Sequence, residues 1–281
     1  MARKVILSRK GFDKTAGGKA SPIIGDKFVS LPIPRAESGD FYKNLQVSST
    51  ESYLKIMKDL GIKFFSEAHL DPDLQRSVLK ERPANWRGLF GQSGTSQGRL
   101  NKQRVGKGDI FLFFGWFKDT TNDNGGWKYS QKAIDIHAIF GYLEVDEVFD
   151  IKAGNNVPSW ATYHPHVKGK EGYGKHSNSV YMATPLFTAD AEKPGWGCFE
   201  FDERLVLTKS ESENRTLWKL PPCFQGEKDN FVHAKRSWNV LPNGHVEMQT
   251  IGRGDQEVYI SSNPRVVEWA ENLIKFCSIY K

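Results

Sequence analysis

The sequence predicts an α+β protein with a mixed, strand-rich core and a few peripheral helices. Apolar runs typical of buried strands dominate the chain after about residue 105, whereas helical spacing with capping signals occurs before that point and at the C-terminal end. The 281 residues, 38% hydrophobic and 26% charged, are typical of a globular protein with a substantial core. We expect a single domain over residues 1–281, with a possible division into 1–100 and 101–281.

The first strand is predicted at residues 5–8, a short apolar run that ends in the charged segment 9–13. Residues 28–34 are predicted to form an edge strand. Pro32 and Pro34 have no backbone N–H to donate to a neighbouring strand, so this segment does not suit the middle of a sheet.

Two helices are predicted in the first hundred residues. Ser48 followed by Glu51 is a capping box, and apolar residues at helical spacing continue until Gly61 ends the helix. Asp71 is the expected N-cap of a second, shorter helix that runs to about Arg82.

The central strands are predicted from two long apolar runs. Residues 108–117 are almost continuously apolar, which suits a fully buried strand, and residues 119–126 form a turn. Residues 137–145 return as the antiparallel partner, with a bulge or a close approach at Gly141. Further strands are expected at 179–183, 198–206, 245–251 and 256–260, followed by a helix with Asn263 as N-cap and Pro264 as its first residue.

Two cations and a carboxylate follow the first strand closely. Arg9 and Lys10 would hold a phosphate while Asp13 acts as an acid or a base. A solvated turn is the alternative interpretation of the same three residues.

A second polar group, at residues 69–73, contains one imidazole and two carboxylates. Asp71 fits the N-cap and Asp73 the first turn of a helix, where the helix dipole favours negative charge. The functional alternative is that one carboxylate activates water with the help of His69.

His164 and His166 flank a proline on a predicted loop. Metal binding by these histidines is conceivable, but neither cysteines nor acidic residues follow at a matching spacing. We therefore predict neither a metal nor another cofactor, and interpret both histidines as contacts to a base or a phosphate.

The glycine-rich segment 88–98 is predicted to be a loop whose backbone approaches a phosphate while Gln92 contacts a base edge; a simple flexible loop is the alternative. Trp116 and His137 lie on the central strands and would line a pocket mouth. With Phe114 and Gln92 they would surround a base, although core packing explains a buried tryptophan equally well.

The net charge of +6 and the isoelectric point near 9.0 favour a polyanionic partner such as DNA, although solubility alone also explains such a charge. No apolar run approaches the roughly 18 residues that span a membrane, and no secretory leader is recognisable. The three cysteines are widely spaced and suggest neither disulfides nor a zinc site. We expect a cytoplasmic protein.

Short motifs over most of the chain form a common pattern: SRKGFD at residues 8–13, HLDPD at 69–73, FGQ at 90–92, GDIFLFFGWF at 108–117, HAIFG at 137–141 and HPH at 164–166. Together they resemble the third of the nucleotide-modification-associated domain families. These families occur in phages and bacteria and are associated by gene context with hypermodified DNA bases. The resemblance implies a setting of DNA base modification.

The strand pair formed by residues 108–114 and 138–145 is also similar to a strand pair of the PUA, ASCH and EVE barrels. Those small folds receive RNA ends or modified bases in an aromatic pocket. The similarity raises a PUA-like barrel as one form of the strand-rich core.

We expect an enzyme that acts on modified bases in DNA, most concretely by hydrolytic excision in the manner of a DNA glycosylase, in phage defence or in phage DNA modification. Asp13 is the first choice for the carboxylate that stabilises an oxocarbenium-like sugar and orients water, and Asp71 is the second. Arg9, Lys10 and His166 would hold the flanking phosphates. A non-catalytic reader of modified bases, and a protein that binds or processes free modified nucleotides, remain open alternatives, as does the oligomeric state.

Overall fold

The computed structural model describes residues 2–36, 40–232, 237–252 and 254–280. The α-helices in these ranges are α1 (Tyr53–Asp59), α2 (Gly94–Lys102), α3 (Pro165–Lys168) and α4 (Pro264–Phe276). The strands are β1 (Val5–Arg9), β2 (Ser21–Ile24), β3 (Lys27–Phe28), β4 (Ile33–Pro34), β5 (Asp40–Phe41), β6 (Glu67–His69), β7 (Leu89–Ser93), β8 (Ile110–Asp123), β9 (Gly126–Tyr129), β10 (Ile136–Asp150), β11 (Asn178–Ala183), β12 (Trp196–Phe199), β13 (Leu217–Leu220), β14 (Trp238–Val240), β15 (Val246–Gln249), β16 (Glu257–Ser261) and β17 (Ile279–Tyr280).

Strands β8 and β10 form the centre of the fold and confirm the predicted antiparallel pair. Their apolar runs are buried from both sides, as the continuous hydrophobic pattern indicates. The register shifts between Ile139 and Gly141, where a bulge was predicted. A Cβ on Gly141 would lie 2.6 Å from Leu74 and 2.9 Å from the carbonyl oxygen of Gly197, so this strand needs a glycine at the point of close approach.

The main sheet follows the order β16-β1-β8-β10-β11-β7, with β1 parallel to β8 and the other neighbours along this path antiparallel. The described residues form an α+β fold, as predicted. They do not form a closed barrel, because the end strands β7 and β16 are not paired through their backbones. Side chains span this opening instead: Gln92 Nε2 donates to Glu257 Oε1 at 2.6 Å.

Two small sheets complete the fold. One has the order β4-β6-β5 and lies within residues 33–69, and its middle strand ends at His69. The order β13-β15-β14 lies in the C-terminal part. Helix α3, which carries His166, packs against β7 and β11. The ends of β1, β6 and β7 lie close together, beside helix α3.

The prediction of a helix from Asp71 to Arg82 is wrong. A cis peptide bond joins Asp71 to Pro72, and only a 3₁₀ turn, Arg76–Val78, follows. The Asp73 N–H donates to the Leu89 carbonyl oxygen, and the Leu89 N–H donates to the Asp73 carbonyl oxygen. These bonds hold the segment against β7 and prevent it from forming a helix. The Asp71 carboxylate does not cap a helix, since it accepts a hydrogen bond from the Gly91 N–H at 2.6 Å.

Other boundaries differ less from the predictions. Helix α1 begins after Ser52, whose Oγ accepts the Lys55 N–H, whereas Ser48 closes only the preceding turn. The predicted edge strand is split into β3 and β4, and the predicted turn at 119–126 shortens to Asn124 and Gly125 because β8 continues to Asp123. The segment 88–98 is not a loop, since it forms β7 and the start of α2. The strand expected at 198–206 ends at Phe199.

The remaining strand predictions are confirmed by β1, β11, β15 and β16. The C-terminal helix is also confirmed, with Pro264 as its first residue and the Asn263 side chain accepting the Arg265 N–H at 3.0 Å.

Candidate functional site

A polar cavity of about 320 Å³ opens where the ends of β1, β6 and β7 meet α3. This volume lies near the lower limit of ordinary ligand pockets, which is about 300 Å³. The polar side chains that line it are Arg9, Lys10, Asp13, Thr15, Arg35, His69, Asp71, Gln92, Ser93, His166 and Gln256. A larger cavity, of about 720 Å³, lies beside α4, but its described lining includes none of the predicted site residues.

Strand β1 delivers two buried cations to this cavity. Arg9 is 6% exposed and Lys10 is 7% exposed, so the solvated-turn interpretation does not describe these two residues. Arg9 Nη2 donates to the carbonyl oxygen of Gly254 at 2.8 Å, and Lys10 Nζ donates to Gln256 Oε1 at 2.7 Å. Burial lowers the pKa of both cations, because a charged group is disfavoured away from water.

Asp13 lines the cavity but is largely occupied by its own turn. Its Oδ1 accepts three hydrogen bonds of 2.7 Å, from the Thr15 N–H, the Thr15 hydroxyl and the Ala16 N–H. Its Oδ2 lies 3.9 Å from Arg9 Nη2. The carboxylate therefore stabilises the loop after β1 and balances part of the charge of Arg9.

The second wall of the cavity is a cluster of three imidazoles around Asp71. His69 Nε2 lies 3.2 Å from His166 Nε2. The Asp71 Oδ2 atom lies 4.0 Å from His69 Nε2 and 3.8 Å from His166 Nε2, and Asp71 Oδ1 lies 3.4 Å from His164 Nε2. All four residues are at least nine-tenths buried.

Hydrogen bonds from behind hold two of these rings, those of His166 and His164. Asn178 Nδ2 donates to the His166 carbonyl oxygen at 2.8 Å, which turns Asn178 Oδ1 toward His166 Nδ1 at 2.7 Å. His166 Nδ1 therefore carries the proton, and the lone pair of Nε2 points into the cluster. His164 Nδ1 accepts the His166 backbone N–H at 3.3 Å, so its own proton lies on Nε2, toward Asp71.

Asp71 is an anion in this setting. Burial alone would raise its pKa, but the close contact with His164 and the positive charge of Lys10 outweigh that effect and hold the pKa below its usual range. Burial lowers the pKa of His166 to about 4 and that of His69 well below its ordinary value. His69 and His166 are therefore neutral imidazoles beside an ionised carboxylate at neutral pH.

The structure brings together most of the residues predicted to form the site. Arg9, Lys10, Asp13, His69, Asp71, Gln92 and His166 all line the cavity, and His164 contacts Asp71 from behind it. Asp73, by contrast, is buried in an ion pair with Arg82 at 2.8 Å and accepts a hydrogen bond from the Tyr163 hydroxyl.

Phe114, Trp116 and His137 lie elsewhere. Phe114 and His137 pack against Trp218, whose Nε1 donates to His137 Nδ1 at 3.0 Å, and Trp116 stacks on the Arg215 guanidinium at 4.1 Å. The described lining of the cavity includes none of the three. The aromatic pocket expected around Gln92 is therefore not assembled at this site.

Several residues of the site were not identified from the sequence. Arg35 and Gln256 line the cavity, Asn178 orients His166, and the Tyr173 ring stacks on His166 with 4.6 Å between ring centroids. Asn178 begins β11, and the polar pair Asn178 and Ser179 ahead of the apolar residues 180–183 was the available signal. Gly91 was also missed: a Cβ there would lie 2.2 Å from the His166 ring.

Among the residues that the structure describes, no helix combines the length and the apolar character needed to cross a bilayer.

Comparison with known proteins gives one match. The family model described as nucleotide modification associated domain 3 matches residues 4–260 of this chain. Searches of curated proteins and of solved structures found no significant match. The matched range covers nearly the whole chain and contains every residue of the cavity and of the histidine cluster behind it. The chain belongs to the nucleotide modification associated domain 3 family, whose description links it to modified nucleotides.

Proposed function

We propose that this protein acts on modified bases in DNA and removes them by hydrolysis of the bond between base and sugar. The observation that carries the proposal is the buried Asp71 carboxylate on the wall of a polar cavity that also contains Arg9, Lys10 and Arg35. The link of the family to modified nucleotides supports the choice of substrate class. The proposed setting is the cytoplasm, in defence against phages with modified genomes or in a phage's own modification pathway.

The proposed reaction needs a negative charge near the sugar and a fixed water molecule. The C1′–N bond breaks, the electron pair leaves with the base, water adds to C1′, and one water proton ends on the departing base. Positive charge develops on the sugar as the bond breaks, and a nearby carboxylate stabilises it. Asp71, with His69 and His166 beside it, would supply that charge and hold the water.

Asp71 suits this role better than Asp13, although the sequence favoured Asp13. Three hydrogen bonds engage Asp13 Oδ1, and Arg9 lies near its other oxygen. In Asp71 the Gly91 N–H and His164 contact Oδ1, while Oδ2 faces His69 and His166. We assign Asp13 the supporting role of fixing the loop that follows Arg9 and Lys10.

The cations and amides of the cavity would bind the remainder of the nucleotide. Arg9 and Arg35 are suited to phosphate oxygens, because guanidinium groups donate two parallel hydrogen bonds. Gln92, Gln256 and Lys10 form a connected group of donors and acceptors that would contact the edge of a flipped base.

A second candidate is hydrolysis of a free modified nucleotide. It is favoured by the position of the cations, since Arg9 and Lys10 are inside the cavity and buried, not spread over an outer surface where a duplex would lie. A small phosphorylated ligand would place its phosphate against them.

The proposal is tested by incubating the purified protein with hypermodified phage DNA, matched unmodified DNA and the modified mononucleotide. Released bases are measured by mass spectrometry, and abasic sites by alkaline strand cleavage. Release of the modified base together with alkali-labile breaks supports excision from DNA. Release from the mononucleotide alone supports the second candidate. Selective binding of modified DNA without any release would refute both and indicate a reader.

A further inference from the structure

We propose that His69, Asp71 and His166 bind a divalent transition-metal ion at the wall of the cavity. One ligand atom from each residue lies within 4.8 Å of the other two, and all three side chains are buried. The three residues come from the end of β6, from the residue pair that follows it and from α3, so no short sequence motif announces the site.

The spacing of the two imidazoles suits a shared ion. Their Nε2 atoms are 3.2 Å apart. Two nitrogens that each bind one ion at about 2.1 Å are separated by roughly 3.0–3.4 Å at tetrahedral or octahedral angles. The Asp71 Oδ2 atom is 3.8 Å and 4.0 Å from these nitrogens, and a small rotation of the carboxylate would bring it to the same ion.

The hydrogen bonds behind His166 and Asp71 leave one ligand atom of each residue facing the inner side of the cluster. Asn178 fixes the proton of His166 on Nδ1, so that its Nε2 lone pair is available to an ion. The Gly91 N–H and His164 contact Asp71 Oδ1 and leave Oδ2 facing the two imidazoles. Partners of this kind are what metal-binding histidines and carboxylates use to fix their orientation.

The donor set indicates the class of ion. Two imidazole nitrogens and one carboxylate oxygen suit Zn²⁺, Fe²⁺ or Mn²⁺, whereas Mg²⁺ and Ca²⁺ prefer sites made of oxygen atoms. His69, Asp71 and His166 all face the cavity, which leaves the remaining coordination positions to water or to a ligand. If the proposed function holds, on which this role rests, the ion would hold and activate the attacking water, and Asp71 would then act as a ligand of the ion and not as a free charge beside the sugar.

Metal binding can be measured without reference to activity. The full-length protein is stripped with a chelator, dialysed, and titrated with Zn²⁺, Mn²⁺ and, under anaerobic conditions, Fe²⁺, in competition with a chromophoric chelator. We expect one equivalent to bind, and Co²⁺ to give a visible absorption band typical of nitrogen and oxygen ligands. Mg²⁺ and Ca²⁺ should bind at least 100-fold more weakly.

Variants assign the ion to this cluster. His69→Ala and His166→Ala should each lower the affinity at least 100-fold, and Asn178→Ala by about 10-fold to 100-fold because it orients a ligand. His176→Ala, which changes an exposed histidine, is the matched control and should leave the affinity unchanged. Circular dichroism checks that each variant is folded, and the Co²⁺ band of the milder His69→Gln variant should shift even where alanine prevents folding.

Failure to bind any of these ions at micromolar concentration would overturn the proposal, as would binding that the His69 and His166 variants leave unchanged. The result of the metal-binding experiment can be distinguished from the test of the proposed function. A protein that binds the ion but releases no base keeps the metal site and loses the proposed function, whereas base release by the metal-free protein removes the ion from the reaction.

Discussion

At the scale of single residues, the character of the site comes from charge held away from water. Asp71 is a buried carboxylate whose ionised form is stabilised by donors on one oxygen and cations nearby. Lys10 is a buried cation whose Nζ lies 3.8 Å from Glu257 Oε1. Both charges are buried and are compensated by the groups around them. Removing one of those groups would leave a buried charge without compensation, which lowers stability.

His137 provides a prediction of pH dependence outside the site. Burial lowers its pKa well below the ordinary value, while in the unfolded chain it takes up a proton as the pH falls below about 6.5. The stability that this group contributes is therefore complete above that pH and decreases as the pH falls toward the folded pKa. The free energy of unfolding should decrease by up to about 1.4 kcal/mol per pH unit for this one group.

The measurement is urea unfolding between pH 7.5 and pH 5, with His137→Gln as the comparison. Other buried histidines add to the slope of the wild-type protein, so the difference between the two proteins isolates His137. Equal slopes in both proteins would contradict the assignment of a neutral, buried His137.

At the scale of elements, strand β7 and helix α3 position the histidine cluster. They can approach closely because β7 has a glycine, Gly91, at their contact. A Cβ at Gly91 would lie 2.2 Å from His166 Cδ2 and 2.9 Å from His164 Cε1. The rings of both histidines therefore rest directly on the backbone of β7, which also supplies the N–H group that Asp71 accepts.

Gly91→Ala should accordingly displace the cluster. We expect a loss of about 1–3 kcal/mol in the free energy of unfolding, typical of an overpacked interior, together with a large loss of metal affinity and of base release. Gly98→Ala is the matched control, because Gly98 is exposed within α2 and a Cβ there would meet nothing within 4 Å. That change should raise stability by about 0.5–1 kcal/mol. Similar behaviour of both variants would show that Gly91 has no special role.

The elements that the sequence predicts best are those fixed by their own hydrophobic pattern. The pair β8 and β10 and the capped helix α4 follow from apolar runs and from Asn263 with Pro264. The helix expected after Asp71 is absent because tertiary contacts compete with local signals: the carboxylate binds Gly91, and the Asp73 backbone pairs with Leu89. Neither partner lies close in the sequence.

At the scale of the whole molecule, the cavity depends on segments that are far apart in the chain. Segments 9–16, 33–35, 69–71, 92–93 and 254–256 contribute to it, together with His166 from α3. The sequence indicates which polar groups follow a strand, so Arg9, Lys10 and Asp71 could be proposed from it. The sequence does not indicate which of these groups lie together in the fold. Trp116 and His137 were therefore predicted to line the mouth of a pocket, but the described lining of the cavity includes neither.

If DNA is the substrate, the affinity for DNA should fall as the salt concentration rises. Each phosphate contact contributes about −0.9 to the slope of log affinity against log salt concentration, so binding of a modified duplex should give a slope of about −2 or steeper. Arg35→Ala should reduce the magnitude of that slope by about 1, whereas Lys107→Ala, which changes an exposed lysine paired with Asp146, should not. Fluorescence anisotropy at four salt concentrations measures this slope. A shallow slope, with equal affinity for a mononucleotide, would favour the free nucleotide as the substrate.

The central claim is that Asp71 is the carboxylate of base excision, and a comparison of Asp71→Asn with Asp13→Asn tests it most directly. Both changes remove one negative charge and keep an acceptor oxygen, and the rate of release of the modified base is measured in single-turnover experiments on the same DNA. We predict that Asp71→Asn slows release by at least about 100-fold, while Asp13→Asn slows it by less than about tenfold. A fully active Asp71→Asn variant, or a larger loss in Asp13→Asn, would contradict this assignment.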